Sequence, residues 1–192
     1  MKFKYMSRKD SILISAIDIM EEKGIVGMTT KEIALREGIT EPAIYRQYKG
    51  KKEIVLAVLE KFAGYDDQIM STVDQQNMNS IDAIRYFLVS LSDYYEGYPQ
   101  VVTAMFSLDV FWYDENTKKL MIDIINKRLN FLEKYVRLGL EEKSFNIDLD
   151  SKNLTEMIYG YLMNTTFNWK ILSNKDGIKA NVLAKFESLV NE

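Results

Sequence analysis

The stretch MTTKEIALREGITEPAIYRQYKGKKEIVLAVL, residues 28–59, contains the pattern that decides the fold. Thr29 followed by Glu32 forms a capping-box pattern that predicts the start of a short helix. Gly38 predicts the end of that helix, because glycine adopts the left-handed conformation at helix C-termini without steric cost. A second short helix follows directly, so the stretch predicts a helix-turn-helix.

The helix after the turn has two different faces. Thr40 is its predicted cap, Pro42 lies in the first turn, where a missing N–H costs nothing, and Gly50 is the predicted end. At 100° per residue, Ile44 and Tyr48 lie close together and are predicted to be buried. The opposite face is polar, aromatic and basic, with Glu41, Pro42, Tyr45 and Arg46. In a DNA-binding helix-turn-helix, the N-terminal part of this helix enters the major groove.

The flanking sequence also predicts helices. An amphipathic helix runs from about Arg8 to Lys23, with Ser7 as its cap and Gly24 as a left-handed end. A long helix begins near Lys51, continues to about residue 68 and is followed by further amphipathic segments. Because the chain has only two prolines and no sustained two-residue alternation, we predict an all-α protein of about nine helices.

Composition limits the possible functions. The chain of 192 residues has no cysteine and no histidine, which removes disulfides, thiolate nucleophiles, Cys/His metal sites and the commonest general base. The first 54 residues carry 11 basic and 8 acidic side chains, whereas the remainder carries 14 and 20, so a polyanion would meet the N-terminal part. No secretion signal or membrane span is predicted, because the longest uncharged run has 13 residues. We therefore predict a soluble, cytoplasmic protein that is not an enzyme and has no cofactor.

The quoted stretch, after its amphipathic first helix, resembles the DNA-binding head of the tetracycline-repressor (TetR) family of transcription regulators. The resemblance covers about residues 8–60 and rests on the Thr-Thr pair, Ile-Ala, the turn glycine and the pattern Ile-Tyr-x-x-Tyr-Lys-x-Lys-x-Glu. It implies a three-helix head at residues 1–52 and a helical-bundle regulatory and dimerisation domain at residues 53–192. The family positions that contact DNA correspond here to Thr30, Lys31, Glu41, Pro42, Ala43, Tyr45, Arg46, Gln47 and Lys51.

The chemistry of these side chains fits such contacts. Lys31 and Lys51 suit phosphates, which fix register without reading sequence. Arg46 suits either a guanine edge or a phosphate, and Tyr45 suits either a thymine methyl group or a phosphate. Glu41 has two readings, an acceptor for a cytosine amino group or a charge that complements a helix N-terminus.

The resemblance further implies a homodimer that binds a palindromic operator and holds a small-molecule effector. The predicted interface on the last two helices comprises Tyr161, Leu162, Phe167, Leu183 and Phe186. Aromatic and methionine side chains at helical spacing form either plain core or a pocket for an apolar or cationic effector. That set comprises Phe62, Tyr65, Tyr86, Met105, Phe106, Phe111, Trp112 and Met163.

The expected function is transcriptional repression that effector binding relieves. Binding would favour a dimer whose heads no longer match successive major grooves, so operator affinity would fall. The alternative is a protein-interaction module that has kept the helix-turn-helix fold and lost sequence-specific DNA binding.

Overall fold

The structure, a computed structural model, describes residues 7–107, 109, 112–172 and 176–191. Within these residues the chain forms nine helices, which confirms the all-α prediction. An isolated antiparallel bridge joins Phe145 to Val190. The helices are α1 (Arg8–Gly27), α2 (Thr30–Glu37), α3 (Glu41–Tyr45), α4 (Lys51–Gln75), α5 (Ser80–Gly97), α6 (Pro99–Phe106), α7 (Glu115–Glu141), α8 (Ser151–Leu172) and α9 (Ile178–Glu187).

The chain divides into two compact units. The head unit comprises Met1–Ala63 with Thr103–Ile122, and the body unit comprises Gly64–Val102 with Asp123–Glu192. The division of function between residues 1–52 and 53–192 stays a prediction. No described helix is both long enough and apolar enough to cross a membrane.

Local capping signals define the ends of the first two helices. The Ser7 hydroxyl accepts the Asp10 N–H at 3.1 Å, and the Thr29 hydroxyl accepts the Glu32 N–H at 3.1 Å. Gly38 is left-handed, with φ of 65°, and its N–H points to the last carbonyls of α2. The predicted caps at Ser7 and Thr29 and the predicted turn at Gly38 are therefore confirmed.

Three local predictions differ from the structure. Gly24 has the expected positive φ of 69°, but helical hydrogen bonding resumes beyond this kink as far as Gly27. The second helix of the motif ends at Tyr45 rather than at Gly50, because the Gln47 and Tyr48 N–H groups both turn back to the Ile44 carbonyl.

The third difference concerns the cap of α3. Thr40 lies at the N-cap, but its side chain makes no capping hydrogen bond. Pro42 has no N–H to offer, and the Ala43 N–H instead donates to the Thr40 carbonyl at 2.9 Å. The backbone therefore supplies the bond that the hydroxyl was expected to supply.

Each unit has its own apolar core. In the head unit, Ile12, Ala16, Ile33 and Ile44 are completely buried, and Tyr48 is 6% exposed, which confirms the predicted inner face of α3. In the body unit α9 packs against α5 and α8, with buried apolar side chains from all three helices. Pro42, Tyr45 and Arg46, on the other face of the motif, are exposed.

Candidate nucleic-acid interface

The turn at Gly38 places α2 and α3 side by side and presents most of the predicted DNA contacts at one surface. Their exposure differs along that surface. Lys31, Pro42, Tyr45 and Arg46 are exposed, with 52% of Tyr45 accessible, whereas Thr30 is buried. The half-buried members of the set are Glu41, Ala43, Gln47 and Lys51.

Two basic side chains of this surface are available for a polyanion. The side chains of Lys31 and Arg46 make no ion pair or hydrogen bond within the described part of the chain. By contrast, Arg36 at the end of α2 is bound to Glu22 through both of its terminal nitrogens, with one N–O distance of 2.9 Å. The unpaired cations therefore lie at the start of α2 and at the end of α3.

Thr30 joins the start of α2 to the start of α3. Its hydroxyl donates to Glu41 Oε1 at 2.6 Å, and the Tyr45 hydroxyl oxygen lies 3.4 Å from Thr30 Oγ1. The Glu41 carboxylate is thus held by a side chain of the neighbouring helix. A separation of 11 residues across a turn leaves no local sequence signal for this contact.

Lys51 begins α4 and is engaged inside the head unit. Its ammonium donates to the Ile25 carbonyl at 2.5 Å and lies 5.3 Å from the centre of the Tyr113 ring. Burial lowers the pKa of Lys51 from its ordinary value. Because the ammonium has three N–H donors, the bond to Ile25 leaves donors for a phosphate.

A buried carboxylate holds α1 to α2 beneath this surface. Glu37, whose side chain is 5% exposed, accepts hydrogen bonds from the Ser11 and Ser15 hydroxyls, the latter at 2.5 Å. The Arg8 guanidinium lies 3.7 Å from the same carboxylate. The sequence analysis missed this cluster, for which the only signal was two serines four residues apart on an otherwise apolar helix face.

A family model described as "Bacterial regulatory proteins, tetR family" matches residues 12–58. This range contains α2, the turn and α3. The helix-turn-helix segment of the chain therefore matches the TetR family, and the resemblance stated on the sequence motifs is confirmed over these residues.

Relatives of this chain extend the similarity over most of its length. The transcriptional repressor KstR2 of Mycobacterium tuberculosis is 23% identical over 172 residues, which cover 84% of this chain and 78% of that protein. The solved structure of KstR2 matches with a TM-score of 0.80 at 17% identity and covers 98% of both chains. FadR from Bacillus subtilis, solved in complex with stearoyl-CoA, matches with a TM-score of 0.77 at 18% identity, covering 94% of this chain and 97% of FadR.

The residues predicted for an effector pocket fall in both units of this TetR-family fold. Phe62 and Met105 are buried in the head unit, to which Phe106 and Trp112 also belong, and Trp112 is 68% exposed beneath the Lys118 ammonium. In the body unit the Tyr65 ring stacks on Tyr94 at 4.2 Å between centroids. Tyr86 and Met163 are half-buried in the same unit, and Phe111 lies outside the described residues.

The residues predicted for the dimer interface separate into two groups. Leu162 and Phe186 are buried in the protomer's own core, at 0% and 2% exposure. Tyr161 and Leu183 are half-buried, and Phe167 is 43% exposed.

Further apolar side chains are exposed on the same helix, α8. They are Met157, Ile171 and Leu172, and at 100° per residue they lie on one side together with Tyr161. We call these four residues the α8 stripe. A cavity of about 220 Å³ between α5, α8 and α9 adjoins the stripe and is lined in part by Met157 and Tyr161.

Proposed function

We propose that this protein is a transcriptional repressor that binds a palindromic DNA operator as a homodimer and is released by a small-molecule effector. The observation that carries the proposal is the exposed face of α2 and α3. Tyr45 and Arg46 are exposed, Ile44 before them and Tyr48 after them are buried, and Lys31 on α2 is exposed and has no side-chain partner among the described residues. A buried bundle helix would gain nothing from this arrangement, whereas a major groove offers partners to every exposed group.

Phosphate contacts would position the head. Lys31 and Lys51 would neutralise phosphates, and Arg46 would supply a third cation that suits a phosphate or a guanine edge. Pro42 and Ala43, two further predicted DNA contacts, suit the methyl group of thymine. Gln47, which is half-buried, would contact DNA only through its outer edge.

The α8 stripe supports a homodimer. An exposed row of large apolar side chains is unfavourable in water and is typical of a protein–protein interface. A two-fold axis through such an interface would pair two heads, each of which would read one half of a palindrome. Residues 1–52 would then bind DNA, and residues 53–192 would dimerise and respond to the effector.

The proposed effector is apolar. A relative of the same fold was solved with stearoyl-CoA, and this chain is rich in aromatic and methionine side chains that make adaptable apolar walls. A cationic effector is the other candidate that the sequence left open. Stearoyl-CoA, whose acyl chain is apolar although its coenzyme A part is anionic, is therefore the first compound to test, and a hydrophobic quaternary ammonium compound is the second.

The test is selection of bound sequences from random DNA, followed by a salt titration on the selected site. We expect a palindromic consensus, and a slope of log K against log salt that becomes shallower by about 1 per head for Arg46→Ala if Arg46 binds a phosphate. If Arg46 reads a base, preference at one symmetric position disappears instead. Lys152→Ala, which removes an exposed lysine of α8, is the matched control and should leave the slope unchanged.

Two outcomes would contradict the proposal. Binding without sequence preference would contradict a specific operator, and absence of DNA binding would contradict the proposed function as a whole. Release is tested separately, by titrating each effector compound into the protein–operator complex and following the anisotropy of labelled DNA. If no compound weakens the complex, the effector part of the proposal fails while DNA binding stands.

A further inference from the structure

We propose that Glu41 reads a cytosine in the operator and that Thr30 is the positioning residue that sets its carboxylate for this contact. The inference rests on the proposed function and deepens it by naming a base and the group on it. It depends on how the protons are distributed among the three side chains Thr30, Glu41 and Tyr45, which we call the acceptor cluster.

The first step is the short contact within the cluster. Thr30 Oγ1 lies 2.6 Å from Glu41 Oε1. An ionised carboxylate only accepts hydrogen bonds, so the Thr30 hydroxyl must be the donor. Because the Thr30 side chain is largely enclosed, its single proton is committed to Glu41 and is not available to a phosphate.

The second step concerns Tyr45. Its hydroxyl lies 3.4 Å from Thr30 Oγ1, whose own proton is already given to Glu41. Only the phenolic O–H can therefore donate across this contact, which is longer than an ordinary O–H···O hydrogen bond.

The acceptor cluster offers DNA a hydrogen-bond acceptor. The Thr30 proton is used inside the cluster, so the Glu41 carboxylate still offers Oε2 to DNA as an acceptor. Phosphate oxygens are also acceptors and carry negative charge, so the cluster disfavours the backbone. It requires a base edge that donates.

The major groove offers two donors of that kind, the N4 amino group of cytosine and the N6 amino group of adenine. Adenine places its N7 acceptor beside N6, where it would repel a carboxylate. Cytosine has no acceptor of its own at this edge. The acceptor cluster therefore favours cytosine.

The experiment uses the full-length protein and its selected operator. At the cytosine assigned to Glu41, the base is replaced in both half-sites by 2-pyrimidinone, which lacks only the amino group. We expect the wild-type protein to lose roughly 5- to 150-fold in affinity per half-site. Glu41→Ala should bind both DNAs equally, since it has no acceptor to lose.

Two further variants test the specificity and the positioning. Glu41→Gln should shift the selected base from cytosine toward adenine, because an amide pairs with both N6 and N7. Thr30→Val should weaken discrimination between cytosine and 2-pyrimidinone, and Thr30→Ser, which keeps the hydroxyl, should retain it. If the role of Thr30 is purely structural, Thr30→Val should weaken binding to all DNAs equally and leave the ratio of the affinities for cytosine and 2-pyrimidinone DNA unchanged.

Several results would overturn the inference. The wild-type comparison of the two bases decides it even if a variant does not fold, because equal affinity for both DNAs excludes an amino-group contact. If Glu41→Ala binds every sequence more tightly and selects the same consensus, Glu41 only repels the DNA backbone and reads no base. Failure of the wild-type protein to select any consensus would instead contradict the proposed function itself.

Discussion

Replacing Arg128 by methionine should be among the most destabilising single substitutions in the body unit. The guanidinium is completely buried and holds Asp66 with two bonds, Nε to Oδ2 at 2.7 Å and Nη2 to Oδ1 at 2.9 Å. Its third bond runs from Nη1 to the hydroxyl of Tyr95 at 3.1 Å, and Tyr95 is 1% exposed. The substitution leaves a carboxylate whose side chain is 2% exposed without its counter-charge.

The expected loss of stability follows from the burial of the Arg128–Asp66 ion pair. Removing one partner of a buried ion pair costs about 3–5 kcal/mol, because the remaining charge is desolvated without compensation. For a chain of this size, about 1 kcal/mol shifts the unfolding midpoint by roughly 2–4 °C. We therefore expect the thermal midpoint of Arg128→Met to fall by roughly 6–20 °C.

The penalty should depend on pH in a defined direction. Burial raises the pKa of the Asp66 carboxyl, and the Arg128 guanidinium opposes that rise. Without Arg128 the rise is larger, so the folded variant holds a proton at pH values where the unfolded chain, with an ordinary Asp pKa near ~3.9, has lost it. The stability of Arg128→Met relative to wild type is therefore highest at low pH. It decreases by up to about 1.4 kcal/mol per pH unit as pH rises.

The assay is urea unfolding at fixed protein concentration, measured at pH 5 and pH 7.5. Lys127→Met is the matched control, since this neighbour on α7 forms an exposed ion pair with Asp67 and should change stability by about 0–1 kcal/mol. The double variant Asp66→Leu with Arg128→Met should recover part of the loss. A loss below about 1 kcal/mol for Arg128→Met, or a loss equal at both pH values, would refute the uncompensated-charge explanation.

The remaining predictions concern the head and the interface. Ser15→Ala should lower the stability of the protein by about 1.5–3 kcal/mol in urea unfolding, because it removes a hydrogen bond to the buried carboxylate of Glu37, and an unchanged midpoint would contradict this. Lys51→Ala should make the salt slope of operator binding shallower by about 1 per head, and a slope equal to wild type would restrict Lys51 to its bond with Ile25. Ile171→Glu should convert the dimer to a monomer in sedimentation analysis, whereas Ile122→Glu, at another exposed isoleucine, on α7, should not. A dimer in both cases would show that the α8 stripe is not part of the interface.

The parts of the fold that the sequence predicted depend on neighbouring residues. A cap and its target lie three residues apart, so Thr29 with Glu32 could be recognised directly, and the positive φ of Gly38 follows from the lack of a Cβ. The error at Thr40 has the same local origin. The preference of threonine for N-caps assumes a free N–H at the second or third helical position, and Pro42 removes one of them.

Contacts between helices could not be predicted in this way. The bonds from Thr30 to Glu41, from Lys51 to Ile25 and from Arg128 to Asp66 join residues 11, 26 and 62 positions apart. Each requires the packing of two helices before the side chains meet. The sequence therefore did not predict which polar groups of the proposed DNA-binding surface already have hydrogen-bond partners, and the DNA contacts themselves stay a prediction.

The acceptor cluster alters the balance between affinity and specificity on this surface. A carboxylate beside a phosphate backbone lowers affinity for every sequence, and the head has few cations such as Lys31 and Arg46 to offset it. Specificity is a difference between affinities, so a group that weakens wrong sites more than the right one is useful even when it weakens both. At a site that presents a cytosine amino group, Glu41 recovers a charge-assisted hydrogen bond, whereas at other sites its desolvation is uncompensated. Holding the carboxylate in place through Thr30 increases this difference, because a free glutamate could rotate back into water and escape the penalty.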